Sequence, residues 1–253
     1  MGWQNKFVME IVNYILKNFS NVEKLNIDYV KSPPYPNIAL DNFLPFDVIA
    51  KMKEECNNLE WTREFTRNKS RMLEKHDVSG CPVALSVQQA MSSAKFLQWL
   101  GKLTGHGDLI PDPHMIGAGY MRCGQGDSLK IHSDFNFNNT IGLYRLMSIN
   151  IYLNRDWKQE WNGDFQLWDF DRTKCITKYY PEAGRAVIWR HHKFGFHGHP
   201  EPLKCPIEVH RDGFRMFYYV SAFTNYKLDK QPHRSLYWYD KETKQPYDVP
   251  DEK

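Results

Sequence analysis

The chain has 253 residues, of which 42% are hydrophobic and 25% are charged, and its formal net charge is +3. These proportions are typical of a globular protein that buries a sizeable core, in one large domain or in a domain with appendages. The small net charge gives no argument for a nucleic-acid partner. The sequence has no run of about 18 apolar residues, so we predict no membrane span.

The cysteines argue against a scaffold of disulfides. There are five of them, with no C-x-x-C pair, and their odd number and wide spacing also exclude a zinc ribbon. We therefore expect reduced thiols, most of them buried. Charged residues interrupt the apolar positions of the first twenty residues, unlike the core of a signal peptide, and we expect a cytoplasmic protein.

The front of the chain is predicted to be helical. Apolar residues recur at helical spacing over residues 7–19 and again over 46–56, with a Pro-rich passage at 33–36 between the two runs. Residues 61–76 carry charges of both signs. We predict a loop there, either a mobile cover over a cleft or a solvated surface loop.

A third helix is predicted from Ser86 to Gly105. Ser86 and Gln89 have the spacing of a capping box, and Gly105 is suited to end a helix. The residues between them place Met91, Phe96 and Leu100 at apolar positions of the helix.

Strand-like runs dominate from about His114 onward. They are separated by turn-forming residues and cover residues 115–121, 146–153, 165–170, 186–189 and 214–220. Short strands at this density favour a sandwich or barrel over a parallel sheet. We therefore predict one domain in three parts: a supporting helical and strand segment at 1–113, a β core at 114–223 and a polar tail at 224–253.

His132 and Asp134 are the first candidate metal ligands. They are two positions apart where a strand is predicted, so their side chains would point to the same face. Two imidazoles and one carboxylate bind one face of iron(II) and leave the other positions open for a cosubstrate and O2.

The third ligand is less closely determined. Five histidines lie in the second half of the chain: His191, His192, His197, His199 and His210. If their segment is extended, His197 and His199 share a face, so spacing alone leaves both of them open. We favour His197, with His199 as the alternative.

Two arginines can anchor a dicarboxylate cosubstrate. Arg211 lies 14 residues after His197, at the start of an apolar strand pattern, and Arg215 follows on the same face of that strand. A guanidinium binds a carboxylate with two parallel hydrogen bonds.

The run from Tyr120 to Phe223 resembles the double-stranded β-helix core of the 2-oxoglutarate and iron(II)-dependent oxygenases, in their prolyl 4-hydroxylase-like branch. The motifs that carry this resemblance occur in the family's order: Tyr120 before a Gly-rich turn, His132-Ser133-Asp134, residues 151–157, residues 162–168, residues 196–203, and Arg211 with its strand. Leu129 and Gly163-Asp164 depart from the family's usual tyrosine and glycine pair.

The resemblance implies a mainly β fold with flanking helices around a jelly-roll, cupin-like core. It also implies Fe(II) held by His132, Asp134 and His197, and 2-oxoglutarate held by Arg211 with Tyr120 as a second hydrogen-bonding partner. It favours Arg211 over Arg215, and it adds ascorbate as a further cofactor to test.

The activity that the resemblance implies is hydroxylation of an unactivated C–H bond with O2, giving succinate and CO2 as coproducts. A prolyl residue of a protein or peptide is the leading substrate, and a free amino acid or another small molecule is the alternative. Two other classes stay open on the same barrel: a non-oxidative enzyme in which zinc activates water, and a binding module without turnover.

Overall fold

The structure, a computed structural model, describes residues 2–61, 63–67, 70–223, 237–239 and 246–248. The described α-helices all precede the core: α1 Gly2–Asn18, α2 Val22–Lys31, α3 Phe46–Asn57, α4 Pro82–Met91 and α5 Ala94–Thr104. A short 3-10 helix lies at Gln159–Trp161. The strands are β1 Asn37–Leu40, β2 Arg63–Arg67, β3 Ser70–Lys75, β4 Ile110–Pro111, β5 Gly119–Cys123, β6 Leu129–Ser133, β7 Phe137–Asn138, β8 Leu143–Tyr152, β9 Phe165–Trp168, β10 Cys175–Tyr179, β11 Ala186–Arg190, β12 His197–His199, β13 Arg211–Val220, β14 Tyr237–Tyr239 and β15 Pro246–Asp248.

The strands form two antiparallel sheets. The major sheet has nine strands in the order β1-β11-β8-β13-β5-β3-β2, with β4 added beside β13 and β7 beside β8. The minor sheet has six strands in the order β10-β9-β12-β6-β14-β15. Phe165 and Leu167 of the minor sheet pack against Tyr152, Val187 and Trp189 of the major sheet, so the two sheets face each other around a common interior.

The outer face of the major sheet carries the helices. Because side chains alternate along a strand, Phe214, Met216 and Tyr218 of β13 point outward. They join the largest apolar cluster of the described residues, which includes Phe96 and Leu100 of α5. The helices thus cover one face of the sheet and leave its other face to the interior.

The helical segment differs from the prediction in two places. Residues 22–31, for which no helix was predicted, form α2. The helix predicted from Ser86 to Gly105 is two helices, because Pro82 begins α4 and Ser93 caps α5 by accepting a hydrogen bond from the amide of Phe96. Ser86 lies inside α4 and its hydroxyl donates to the carbonyl of Pro82, so it caps nothing.

Residues 63–67 and 70–75 form a hairpin where a loop was predicted. β2 pairs with β3, and β3 pairs with β5, so the hairpin continues the major sheet. Residues 62, 68 and 69 lie outside the described residues. The strand predicted at 115–121 begins only at Gly119, because Met115 and Gly117 adopt positive φ angles in a turn.

Little of the predicted tail falls within the described part of the chain. Of residues 224–253, only β14 and β15 are described, and β14 extends the minor sheet beside β6. The five cysteines are free, and four of them are buried. None of the described helices is both long and apolar enough to cross a membrane.

Candidate metal and cosubstrate site

Neighbouring strands of the minor sheet bring the three candidate ligands together. His132 lies near the end of β6, Asp134 follows that strand, and His197 begins β12 directly opposite His132. The Nε2 atom of His132 is 3.2 Å from one carboxylate oxygen of Asp134, and Nε2 of His197 is 3.8 Å from the other. All three side chains are buried, and one ligand atom of each lies within 4.8 Å of the others, as a shared metal ion requires.

Backbone carbonyls orient both imidazoles. Nδ1 of His132 lies 2.8 Å from the carbonyl oxygen of Lys130, and Nδ1 of His197 lies 2.8 Å from that of Gly195. A ring nitrogen beside a carbonyl oxygen carries the proton, so the Nε2 lone pairs face Asp134. This arrangement is the one that metal-binding histidines adopt.

The protonation states also suit a cation. Burial lowers the pKa of His197 to about 4, so that its ring is neutral at neutral pH. Burial alone would raise the pKa of Asp134, but the surrounding imidazoles, chiefly those of His197 and His132, bring it well below its ordinary value. The site therefore offers a neutral nitrogen from His197, a second imidazole nitrogen from His132 and an anionic oxygen from Asp134.

The side of Asp134 away from His132 contacts a buried arginine. The guanidinium of Arg145 lies between the rings of Phe135 and Phe217, 3.7 and 3.6 Å from their centroids. Its Nη1 is 3.5 Å from Asp134, and Nδ1 of His191 is 3.7 Å from the same carboxylate oxygen.

Arg211 lies in the interior between the sheets. Its Nε donates to the carbonyl oxygen of Gly163 at 2.7 Å, and its Nη2 is 3.3 Å from the hydroxyl of Tyr152. No described carboxylate forms an ion pair with it. Gly163 has a φ of +83°, and a Cβ there would lie 2.7 Å from Leu203 and 3.1 Å from Arg211, so only glycine allows this approach.

Arg215 points to the same interior one layer further along β13, but it has an acidic partner. Its Nη2 is 3.2 Å from Glu74 of β3, and both side chains are largely buried. The two arginines that the sequence left as alternatives therefore differ in charge balance, because only Arg211 lacks an acidic partner among the described residues.

Several buried polar atoms of the interior have no hydrogen-bonding partner. They are Oδ1 of Asn150, Nε1 of Trp189, Nδ1 of His199 and Nε of Arg215. Buried polar groups are nearly always satisfied, so four such atoms in one interior indicate a place for a polar ligand or for ordered water. The donors among these atoms, Nε1 of Trp189 and Nε of Arg215, fit a carboxylate together with Arg211, whereas Oδ1 of Asn150 is an acceptor and suits ordered water or another donor.

The structure places His199 apart from the three clustered ligands. Its side chain is buried on the same side of β12 as His197, but a register shift separates the two residues, and His199 lies opposite Leu129. Its Nε2 is 3.8 Å from the sulfur of Cys123. Burial and the charge of Arg211 lower the pKa of His199 well below its ordinary value.

The prediction for Tyr120 is corrected. Tyr120 lies on the outer face of the major sheet, where its hydroxyl donates to Glu55 at 2.8 Å and contacts the carbonyl of Met52 at 3.2 Å. It therefore faces α3, because alternate residues of β5 point to opposite faces. The tyrosine beside Arg211 is Tyr152, which was not predicted from the sequence. The alternation of side chains along β8 could have indicated it, because Tyr152 and Ile151 point to opposite faces of the sheet.

Comparison with known proteins agrees with this geometry. Residues 118–219 match the model of the 2OG-Fe(II) oxygenase superfamily. This match supports the resemblance of the β core to that superfamily. None of the curated proteins matches the sequence.

Solved structures share the fold at low identity. A prolyl 4-hydroxylase of Phytophthora capsici is 16% identical, with a TM-score of 0.53, over 83% of this chain and 70% of that one. A prolyl hydroxylase of Trichoplax adhaerens, in complex with a peptide fragment of hypoxia inducible factor, is 14% identical, with a TM-score of 0.50, over 87% and 93%. The epimerase SnoN from nogalamycin biosynthesis, a non-heme α-ketoglutarate-dependent enzyme, is 11% identical, with a TM-score of 0.56, over 85% and 94%.

These likenesses confirm the predicted fold class, a mainly β protein with flanking helices and a double-stranded β-helix core. The family uses Fe(II) and 2-oxoglutarate, as the resemblance implied. The cluster of His132, Asp134 and His197 fits the metal ion, and Arg211, which has no acidic partner among the described residues, fits a carboxylate of 2-oxoglutarate.

Proposed function

We propose that the protein is a 2-oxoglutarate- and Fe(II)-dependent dioxygenase that hydroxylates an unactivated C–H bond. The observation that carries the proposal is the pairing of two sites in one interior: a His-Asp-His cluster, and a buried arginine without an acidic partner. A metal ion suits the first and the far carboxylate of 2-oxoglutarate suits the second.

In this proposal, His132, Asp134 and His197 hold the iron through Nε2, a carboxylate oxygen and Nε2. The carbonyls of Lys130 and Gly195 keep the two rings in the tautomer that binds metal. Asp134 also supplies a negative charge. Because its carboxylate takes the metal position that a halide would need, we do not propose halogenation.

Arg211 holds the far carboxylate of 2-oxoglutarate, and the hydroxyl of Tyr152 is its neighbour in that contact. The guanidinium is already fixed by the carbonyl of Gly163, so little side-chain entropy is lost when the cosubstrate binds. Arg215 remains the lower-ranked alternative because Glu74 already neutralises it. Ascorbate is retained as a cofactor to test by addition.

Iron, when bound with 2-oxoglutarate and O2, would supply the oxidising power, and succinate and CO2 would be the coproducts of the hydroxylation. The chain supplies position and exclusion of water. Phe165, Leu167 and Trp189 form an apolar wall on the interior, and ring contacts join Phe165 and Trp189 to His197. Such a wall fixes the reacting groups and limits stray oxidation.

We propose a prolyl residue of a protein or peptide as the substrate. The likeness to the prolyl hydroxylases of Phytophthora capsici and Trichoplax adhaerens supports this choice, but the likeness to SnoN shows that this fold also serves small-molecule chemistry. A free amino acid or another small molecule is the second candidate, which the likeness to SnoN favours.

The test is conversion of 2-oxoglutarate to succinate with iron and O2 supplied, compared with the same reaction in His132→Ala and Asp134→Ala. Both variants are expected to lose turnover while still folding, as judged by thermal unfolding. Unchanged turnover in both would disprove the ligand assignment. Prolyl peptides and free amino acids would then be screened for the mass gain of one oxygen atom.

A further inference from the structure

A cavity of about 430 Å³ opens where β8 begins and β11 ends, next to Asp134. Arg145 and His191 belong both to its lining and to the surroundings of the Asp134 carboxylate. A volume of this size accommodates a small organic molecule or a few residues of a peptide. The cavity is thus placed to present a C–H bond to a metal held by Asp134.

The lining of this cavity is basic. Its positive charge comes from Lys31, Arg145 and Arg190, which lie with the imidazoles of His191 and His192 in the lining, and none of its described residues is aspartate or glutamate. Outside the lining, the carboxylate of Asp169 in the neighbouring turn is already bound by the hydroxyl and amide of Thr173 and the amide of Lys174.

Arg145 adds a second, independent observation. Its side chain is only 2% exposed, yet its Nε and Nη2 have no hydrogen-bonding partner. Leaving two donors of a buried guanidinium unsatisfied costs free energy, which an anionic ligand would recover. Asp134 contacts only Nη1, so it leaves these donors without a partner.

The part of the lining that precedes β1 is rigid. It is formed by residues 33–36, three of which are prolines, and the hydroxyl of Tyr35 donates to the carbonyl of Phe196 at 3.0 Å. The Tyr35 ring also meets the ring of His192 edge-on at 4.9 Å. A wall held in this way loses little conformational freedom when a ligand binds.

We infer that this cavity binds an anionic group of the primary substrate and thereby places the neighbouring C–H bond at the metal. The inference rests on the proposed oxygenase function and names the chemistry of its substrate. The anionic group has two sources: an acidic side chain beside a target proline in a peptide, or the carboxylate of a free amino acid derivative.

The test compares matched probes in the iron-loaded enzyme. One pair consists of proline peptides that differ only in Glu or Gln beside the proline, and the other of N-acetylproline and N-acetylprolinamide. Succinate formation and the mass gain of one oxygen atom give kcat/KM for each probe. We expect the acidic member of at least one pair to be favoured by about tenfold, and the pair that shows it identifies the source.

Lys31→Glu is expected to remove this preference, because it places a negative charge on the cavity. Lys17→Glu is the matched control: Lys17 is likewise an exposed lysine in the last turn of a helix, α1, but it does not line the cavity. Thermal unfolding of both variants reports any common effect on the helix ends.

Equal kcat/KM for both members of both pairs, or no stimulation by any probe, would overturn the inference. So would loss of the preference in Lys17→Glu to the same extent as in Lys31→Glu. The proposed function fails differently, because it requires iron-dependent succinate formation from 2-oxoglutarate, whichever probe is preferred.

Discussion

The two faces of the major sheet both bury charged side chains, but they treat them differently. On the outer face, Arg122 donates two hydrogen bonds to Asp212, at 2.7 and 2.8 Å, and Lys53 and Asn57 complete the network. Tyr120 is likewise satisfied by Glu55. These groups use their hydrogen bonds to attach α3 to the sheet.

The inner face leaves comparable groups incomplete. Arg211 has a carbonyl and a hydroxyl but no described carboxylate, and Asn150, Trp189 and Arg215 each keep an atom without a partner. A buried polar network that serves stability is expected to be complete, whereas one that serves binding must keep positions for its ligand. Both faces bury charged groups. The inner face differs because several of its buried polar atoms have no hydrogen-bonding partner, and this difference marks it as the functional face.

The largest expected effect is on the inner side of the barrel. Asp134→Ala should reduce 2-oxoglutarate turnover by more than about a hundredfold. Mutating a group that only supports a metal ligand typically costs about 10- to 100-fold in activity, and removing the ligand itself should cost more. The metal-free variant should also lose stability, because the buried Arg145 loses its acidic partner, so turnover is measured at a temperature where the variant is folded. Iron binding, succinate formation and thermal unfolding of the metal-free protein measure the three quantities; a large loss of stability with retained turnover would reverse the comparison.

On the outer face, Asp212→Ala should lower the free energy of unfolding by about 3–5 kcal/mol, because it leaves Arg122 and Lys53 without their buried partner. Asp41→Ala is the control, since Asp41 pairs with Arg185 at the surface and should cost roughly 1 kcal/mol or less. Urea unfolding of both variants checks the difference, and equal costs would contradict it.

Arg211→Ala and Arg215→Ala separate the two arginines of the inner face. Arg211→Ala should raise the KM for 2-oxoglutarate about a hundredfold, or roughly 3 kcal/mol, because the far carboxylate loses its only charged partner. Arg215→Ala should raise it less, since Glu74 already balances that charge. Steady-state kinetics with varied 2-oxoglutarate decide the order, and the opposite order would move the anchor to Arg215.

The smallest effects distinguish the two tyrosines. Tyr152→Phe should weaken 2-oxoglutarate binding by about 1 kcal/mol, whereas Tyr120→Phe should lower the free energy of unfolding by about the same amount and leave the KM unchanged. Titration with 2-oxoglutarate and urea unfolding provide the two readouts. A change in KM for Tyr120→Phe would restore it to the site.

The sequence predicted the β core well because its strands are apolar, short and separated by turn residues. His132 and Asp134 were expected to converge because they are two positions apart on a strand, whereas His197 was preferred over His199 chiefly through the order of the family's motifs; the structure brings His132, Asp134 and His197 together. Tyr120 was misplaced because motif order does not say which face of a strand a residue occupies.

Other differences arose from contacts that local patterns do not contain. The charged hairpin at 63–75 is held by pairing with β5, which lies far away in the sequence. His197 and His199 remained alternatives because both point to one side of β12, and only the register shift between them sets their neighbours apart.

The two imidazoles of the proposed metal site are oriented by main-chain oxygens, those of Lys130 and Gly195. Every amino acid carries such an oxygen, so a point mutation at either position changes the side chain without deleting the acceptor. The site is therefore buffered against substitution at Lys130, whereas a Cβ at Gly195 would lie only 3.0 Å from the carbonyl oxygen of His192. An inserted or deleted residue would instead shift the carbonyl away from the ring. We therefore expect related sequences to vary at position 130 but to keep the number of residues between each carbonyl and its histidine.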